Sequence, residues 1–401
     1  MTYNRNQFIT TTMSFKKYII AGLAVLTIGG TAMAQETLNL KALEQKIASL
    51  DQKNDSFNFY LNLQNSANLY INGGDYEGID FKTNQMRLEM RGEVVKGIRY
   101  RVRHRMNRGT SAEGLDNLSR ATDIASISID VTKNLTITGG KQCTAFGGYE
   151  FDLNPIDIYQ YSDMIDYMDN FLTGVDFAYQ VKGQEFRFQV VNSRNDYMDN
   201  IYEGLNGVEA SKNALGYTLN WNGSLFDGKV QTRWSYSLFE DAKDKFTNYI
   251  ALGTQVKLGK KAQLQFDWMN SHEDIDRKGI VSDMMNANGG DYVRGMDVVY
   301  NSLVAKVDYR VNNKFNMFVK GMYETATNNG NTDANLNDEF RTSYGYMTGL
   351  EYHPIAEGLK IFFTYTGRYF DYDSSLTENM GLKDQYTNRF SIGMVYRLKM
   401  Y

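Results

Sequence analysis

Proline, cysteine and histidine are scarce in this chain of 401 residues, which has two prolines, one cysteine and three histidines. With so little proline and no Ser-rich stretch, nothing marks a linker, and a single large domain is favoured. The lone Cys143 excludes an intrachain disulfide. A formal net charge of −4 argues against the basic surface that nucleic acids require, so we expect no nucleic-acid partner.

Long hydrophobic runs are also missing after residue 34, where no segment approaches the ~20 apolar residues of a membrane-spanning helix. Before that point, Lys16 and Lys17 precede an apolar run over residues 18–28, and Ala32-Met33-Ala34 follows. A basic start, a short apolar run and an A-x-A site predict a cleavable signal peptide over residues 1–34. Residues 1–12 carry no apolar run, which leaves Met13 as an alternative start.

A short helical repeat follows the predicted cleavage site. Leu40, Leu43, Ile47 and Leu50 recur at alternating spacings of three and four in a segment rich in Lys, Glu and Ala. This heptad seam predicts a short periplasmic coiled-coil helix within residues 35–55. A self-associating seam is the favoured interpretation, and a tail that caps or plugs the rest of the molecule is the alternative.

From Ser56 to Tyr401 the apolar residues recur with period two, and aromatic residues make up 13% of the chain. Phe57, Phe59 and Leu61, for example, alternate with polar residues. About sixteen such segments predict an all-β fold, a transmembrane antiparallel β-barrel over 56–401. Barrels of about 16–18 strands enclose an aqueous channel.

The predicted connections differ in length. Short turns at 227–228 and 312–313 contrast with long polar stretches at 271–293 and 326–340, an asymmetry typical of membrane barrels. A large soluble β-protein would show the same alternation with its faces reversed. The signal peptide, the strand count and the arginine row described next favour the outer membrane of a Gram-negative bacterium, with its lipid as a partner.

One strand carries four arginines on the same face, Arg99, Arg101, Arg103 and Arg105. Because arginine at the bilayer midplane costs about 2–4 kcal/mol, this face should line the lumen. Arg87 and Arg91 on the preceding strand have the same expected facing, so six arginines form the predicted pore lining. Their guanidinium groups stay charged and offer an anion successive weak sites. Charge compensation by Glu89 and Glu93 is the alternative interpretation.

Residues 143–170 contain acids and aromatics but no lysine or arginine, and Pro155 interrupts any strand there. The segment is predicted to be a constriction loop, folded into the barrel, whose acids could oppose the arginines and create a transverse field. An ordinary acidic surface loop is the alternative. The predicted constriction residues are Glu150, Asp152, Asp157, Asp163, Asp166 and Asp169.

Catalytic and metal-binding patterns are weak. His104, His272 and His353 have neither the spacing of a metal site nor that of a catalytic triad. The acidic stretch 283–291 lacks the repeated Asp spacing of a calcium loop. We therefore expect no enzyme activity, no metal and no cofactor.

Two segments carry a resemblance to a known family. Gly139-Gly140-Lys141-Gln142 with Ala145-Phe146-Gly147-Gly148-Tyr149-Glu150 resembles the strand-to-loop passage of phosphate-selective porin O/P-type outer-membrane porins. The residues 154–157 and 161–164 resemble versions from Bacteroidetes-like bacteria. The resemblance implies a homotrimer of sixteen-stranded barrels with an inward third loop and an arginine ladder. The acidic loop and the out-of-step Tyr401 depart from the family pattern.

The predicted function is that of an outer-membrane porin for passive diffusion of small anionic solutes, phosphate-like or carboxylate, through an arginine-lined lumen. A non-selective general diffusion porin with a transverse field is one alternative. A plugged barrel that serves adhesion or binding is the other. The patterns leave open the solute, the sign of the selectivity and the pore radius.

Overall fold

The structure is a computed structural model that describes residues 56–110, 114–202, 205, 207–355 and 358–401. The predicted signal peptide, residues 1–34, and the predicted coiled-coil helix, residues 35–55, lie outside the described residues.

Sixteen strands make up the fold of the part of the chain that the structure describes. Their bounds are β1 Asn58–Asn72, β2 Asp75–Val95, β3 Ile98–Arg105, β4 Thr122–Asp130, β5 Leu135–Cys143, β6 Phe171–Val181, β7 Gln184–Asn192, β8 Leu215–Asn222 with its continuation Ser224–Leu225, β9 Val230–Ala242, β10 Lys245–Leu258, β11 Ala262–Ile275, β12 Met296–Arg310, β13 Phe315–Asn328, β14 Glu339–Tyr352, β15 Leu359–Tyr372 and β16 Gln385–Lys399.

The strands close into a barrel. Each pairs antiparallel with the next, and β1 also pairs with β16, in a register that runs from Tyr60 opposite Lys399 to Asn72 opposite Thr387. Because the barrel is closed, it has no edge strand. The backbone N–H and C=O groups of the strands therefore pair with neighbouring strands rather than with water. The predicted antiparallel barrel of about sixteen strands is confirmed. Within the described ranges, no helix is both long and apolar enough to cross a membrane.

Burial in the barrel is the reverse of burial in a soluble protein. Inward-facing polar side chains such as Asn62 and Gln64 are 1% and 3% exposed. Outward-facing apolar side chains such as Leu219 and Val319 are 58% and 60% exposed. Apolar surface of this extent is stable only against lipid, since soluble proteins keep such patches small. The choice between a soluble β-protein and a membrane barrel is therefore decided for the membrane barrel.

The connections at the two ends of the barrel differ in length. At the end where β2 meets β3, every turn is short, and the longest covers residues 353–358. At the other end lie the long connections 106–121, 144–170, 193–214 and 276–295. The predicted loops 271–293 and 326–340 were too long, because β11 continues to Ile275 and β13 to Asn328, where the ladder hydrogen bonds still hold.

The described helices are single turns or little more, and all lie in connections at the long-loop end of the barrel. They are α1 Tyr149–Asp152, a 3-10 helix Pro155–Asp157, α2 Asp163–Asp166, α3 Met198–Ile201, α4 Ile280–Met285 and α5 Ser374–Asn379. Pro155 opens the 3-10 helix, where its missing N–H costs no hydrogen bond.

A hydrophobic cluster lies inside the barrel, toward its long-loop end. Loop residues such as Phe146 and Ile165 pack there against inner-face residues such as Phe239, Tyr249 and Met269, all at most 2% exposed. α4 adds Ile280, Val281 and Met284. Because these side chains fill the space along β9–β14, the lumen is occupied on one side.

Candidate functional site

Residues 144–170, hereafter the inner loop, leave β5 and run against the inner wall of the barrel. The backbone N–H groups of Tyr149 and Glu150 donate to the two carboxylate oxygens of Asp267 on β11, at 2.7 and 2.9 Å. Gly147 has a φ of 71°, and a Cβ there would lie 2.8 Å from the carbonyl oxygen of Arg233 on β9. The first turn of the loop is thus fitted closely to β9–β11.

The middle of the inner loop reaches the opposite wall. The side-chain amide nitrogen (Nε2) of Gln64 on β1 donates to the carbonyl oxygens of Ile156 and Ile158, at 3.1 and 3.2 Å. Arg389 on β16 donates to the carbonyl oxygen of Tyr159 at 2.7 Å. The inner loop therefore crosses the lumen. Side chains of β11 on one wall and of β1 and β16 on the other accept or donate hydrogen bonds that hold it in place.

Five of the six acids named from the sequence form ion pairs with basic residues outside the arginine row. The pairs are Glu150–Lys320, Asp152–Arg233, Asp157–Lys360, Asp163 with both Arg341 and Arg368, and Asp169–Arg277. Glu150 and Lys320 are both buried, and Ser162 also donates to Glu150. These five acids fix the loop to β9, β13, β14, β15 and the 276–295 connection, and they do not pair with the arginines of β2 and β3.

Three of the six named arginines converge on one acid, Asp123 of β4, which is 1% exposed. Its oxygens lie 3.3 Å from Arg87, 3.4 Å from Arg103 and 2.9 Å from Arg105. Asp123 was not among the residues predicted from the sequence. A register shift in the β3–β4 pairing between Arg103 and His104 brings it to the arginine face, and the alternation pattern does not show such a shift.

The other three arginines lie nearer the short-turn end. Arg101 donates to Glu89 at 3.1 Å, and Arg91 approaches the same carboxylate at 3.9 Å. Arg99 forms a bidentate pair with Asp130, at 2.6 and 2.7 Å.

Charge compensation along this wall is partial. Glu93, expected to compensate the arginines, accepts instead from the backbone N–H of Gly97 in the β2–β3 turn. Glu89, Asp123 and Asp130 therefore carry the ion pairs of six arginines, and the wall keeps an excess of positive charge.

A cavity of about 610 Å³ separates this wall from the inner loop and opens toward the long connections. Its basic lining residues are Arg87, Arg105, Arg108, Arg120, Lys141 and Arg277. Its acidic lining residues are Asp116, Asp123, Asp166, Asp169 and Asp196. The space beside the inner loop is therefore a highly charged cavity along β2–β5.

A second cavity of about 300 Å³ adjoins the first, and both are lined by Gln85, Tyr161 and Asp166. It lies against β1, β2 and β16 and is lined mainly by neutral hydrogen-bonding groups, with Lys82 and Arg389 as its cations. Tyr161 and Asp166 thus mark the place where the two spaces meet. Burial of the Tyr161 hydroxyl raises its pKa, so it stays neutral.

The histidines are scattered over separate parts of the barrel. His104 contacts Thr122, while His272 and His353 lie beside Asp297 and Glu351. Among the described residues, no group of three or more His, Cys, Asp or Glu side chains could hold a metal ion.

A closed sixteen-stranded barrel with an apolar outer face, a polar lumen and a charged internal cavity is an outer-membrane diffusion channel. A family model described as phosphate-selective porin O and P matches residues 57–398. The chain belongs to this porin family, which confirms the resemblance seen in the sequence. It is an outer-membrane porin for passive diffusion of solutes, and these findings point to a channel rather than an enzyme.

Solved structures of porins share the fold at low sequence identity. The outer-membrane channel DcaP of Acinetobacter baumannii superposes with a TM-score of 0.60 at 11% identity, covering 85% of this chain and 97% of that one. The anion-selective porin from Comamonas acidovorans gives 0.54 at 11%, covering 86% and 99%. OmpT of Vibrio cholerae in its trimer form gives 0.53 at 13%, covering 86% and 100%. No curated protein sequence matches the chain.

Proposed function

We propose that this porin passes small anionic solutes, phosphate-like or carboxylate, through the passage between the arginine wall and the inner loop. The observation that carries the proposal is the convergence of Arg87, Arg103 and Arg105 on the single carboxylate of Asp123. The family description and the anion-selective porin from Comamonas acidovorans support it.

The arginines can act as successive weak sites for an anion. Arg105 lines the cavity near the long connections, whereas Arg101 and Arg99, with side chains 42% exposed, lie nearer the short turns. Guanidinium groups remain charged at any working pH and bind oxyanions through a planar fork. Because each of these arginines is already paired with a carboxylate, an incoming anion is held weakly, which is what conduction requires.

The inner loop serves as the constriction in this proposal. Its five paired acids hold it in the lumen, while Asp166 and Asp169 lie on the passage itself. We also propose that the protein works as a homotrimer, as the trimer form of Vibrio cholerae OmpT suggests by its shared fold.

A general diffusion porin with a transverse field is the second candidate. The observation that favours it is the near balance of charges on the larger cavity, which has six basic and five acidic lining residues. Opposite charges on facing walls orient dipolar solutes without strong preference for either sign.

The reversal potential of the purified protein in a planar bilayer under a KCl gradient tests the proposal. We expect a shift toward the chloride potential. Arg101→Ala with Arg103→Ala should move it toward the potassium potential, because two pore charges are lost. Arg101→Lys with Arg103→Lys is the matched control and should keep the anion preference. An unchanged potential in the alanine variant would refute the anion path, and an absence of conductance in the wild type would favour a plugged binding barrel.

A further inference from the structure

One acid of the inner loop differs from the other five. Among the described residues, no ion pair or side-chain hydrogen bond engages Asp166, whereas each of the others is paired with a lysine or an arginine. Asp166 ends α2 and is exposed within the lumen. Its charge is therefore neutralised by no direct partner.

The position of Asp166 gives that charge a direct effect on permeation. It lines both cavities, at the place where they meet, and shares the larger cavity with Arg87 and Arg105. Tyr161, the other loop residue at this junction, lies close enough to Arg87, Arg105 and Asp166 to feel all three charges. A solute that moves from one cavity to the other therefore passes beside this carboxylate.

We propose that Asp166 is the specificity-determining residue of the constriction. Its free carboxylate lowers the anion preference that the arginines create, and neutralisation of this carboxylate increases that preference. The inference rests on the proposed anion path. In a water-filled passage one charge at a distance of several ångströms changes the local concentration of a monovalent ion by roughly threefold. Because loss of the negative charge raises the local chloride concentration and lowers that of potassium by this factor, the chloride-to-potassium permeability ratio should change roughly ninefold.

The surroundings of Asp166 make this effect dependent on pH. On the inner loop it faces Glu150, Asp163, Tyr161 and Tyr167. From the wall it faces Lys320 of β13 and Arg368 of β15, and across the cavity Arg87 and Arg105. Desolvation by the loop, followed by the charges of Asp163 and Glu150, raises the pKa of the Asp166 carboxyl above its ordinary value. As the pH falls through that raised value, Asp166 becomes neutral before an ordinary aspartate would, and the anion preference should rise.

The test compares reversal potentials of wild type, Asp166→Asn, Asp166→Glu and Asp227→Asn in planar bilayers under a KCl gradient of low ionic strength, where exposed charges are least screened. At about pH 7, Asp166→Asn should raise the chloride-to-potassium ratio roughly ninefold, while Asp166→Glu keeps the wild-type ratio. Asp227 is exposed in the short turn after β8 and lines neither cavity, so Asp227→Asn should change the ratio little.

Acid pH gives a second readout. The difference between wild type and Asp166→Asn should shrink as the pH falls through the raised pKa of the Asp166 carboxyl, because the wild-type carboxyl becomes protonated there. Equal ratios for these two proteins at neutral pH, or an equal effect of Asp227→Asn, would overturn the assignment. A wild type that conducts no ions would instead refute the anion path on which the assignment rests.

Discussion

The two sides of the barrel interior have opposite characters although the same polar–apolar alternation built both. Along β9–β14 the inner loop and α4 fill the lumen with an apolar cluster, and basic side chains such as Lys320 and Arg341 form ion pairs with the loop acids. Along β1–β5 the wall faces water and carries the arginines around Asp123. On the proposed anion path, solutes move where the inner loop does not pack, so the loop sets the position of that path as well as its width.

The largest loss of unfolding free energy is expected along β9–β14, hereafter the filled side, when one partner of the buried Glu150–Lys320 pair is removed. Glu150→Ala leaves the ammonium of Lys320 buried without its counter-charge, which costs about 3–5 kcal/mol of unfolding free energy. Chemical unfolding in lipid vesicles measures it. The double variant Glu150→Ala with Lys320→Met should recover most of the loss. A single variant as stable as the wild type would mean that the pair does not hold the loop.

Truncation inside the apolar cluster should have the next largest effect. Met269 is fully buried against the loop, and Met269→Ala should cost about 2–4 kcal/mol through the cavity that it leaves. The same unfolding assay applies. Met106, half exposed on the 106–121 connection, is the control, and Met106→Ala should stay within about 0.5 kcal/mol of wild type. Equal losses in both variants would contradict a filled side.

The smallest change in stability is expected along β1–β5, hereafter the open side. Arg99 and Asp130 form an ion pair near the short-turn end with side chains 42% and 34% exposed. Arg99→Ala should cost at most about 1 kcal/mol, because water screens the pair. Its unfolding free energy and its reversal potential can be measured on the same preparation, with Arg99→Lys as control. A loss as large as that of Glu150→Ala would abolish the difference between the two sides.

Much of the barrel could be predicted from the sequence, because lipid outside and water inside impose a strict period of two on every strand. The strand number and the class of protein follow from that pattern. One feature of the sequence indicates the filled side. On β10 four apolar residues follow one another, Tyr249, Ile250, Ala251 and Leu252, and such a run indicates burial on both faces of the strand.

The pairing of charges could not be predicted in the same way. Asp163 meets Arg341 and Arg368, which lie far along the chain, and only the closed barrel brings them together. Asp123 reaches the arginines through a local register shift, which depends on hydrogen bonding between strands rather than on residue type. Alternation assigns a residue to a face, and it does not specify the partner that the residue meets there.

The pairing of β1 with β16 has a consequence for how the protein is made. The first strand finds its second neighbour only when the last strand has been delivered, so until then the sheet has two open edges in search of hydrogen bonds. Contacts between such distant parts of a chain form slowly, and unpaired edges invite aggregation. Assembly of this barrel therefore depends on keeping the early strands from pairing wrongly until the final strand arrives.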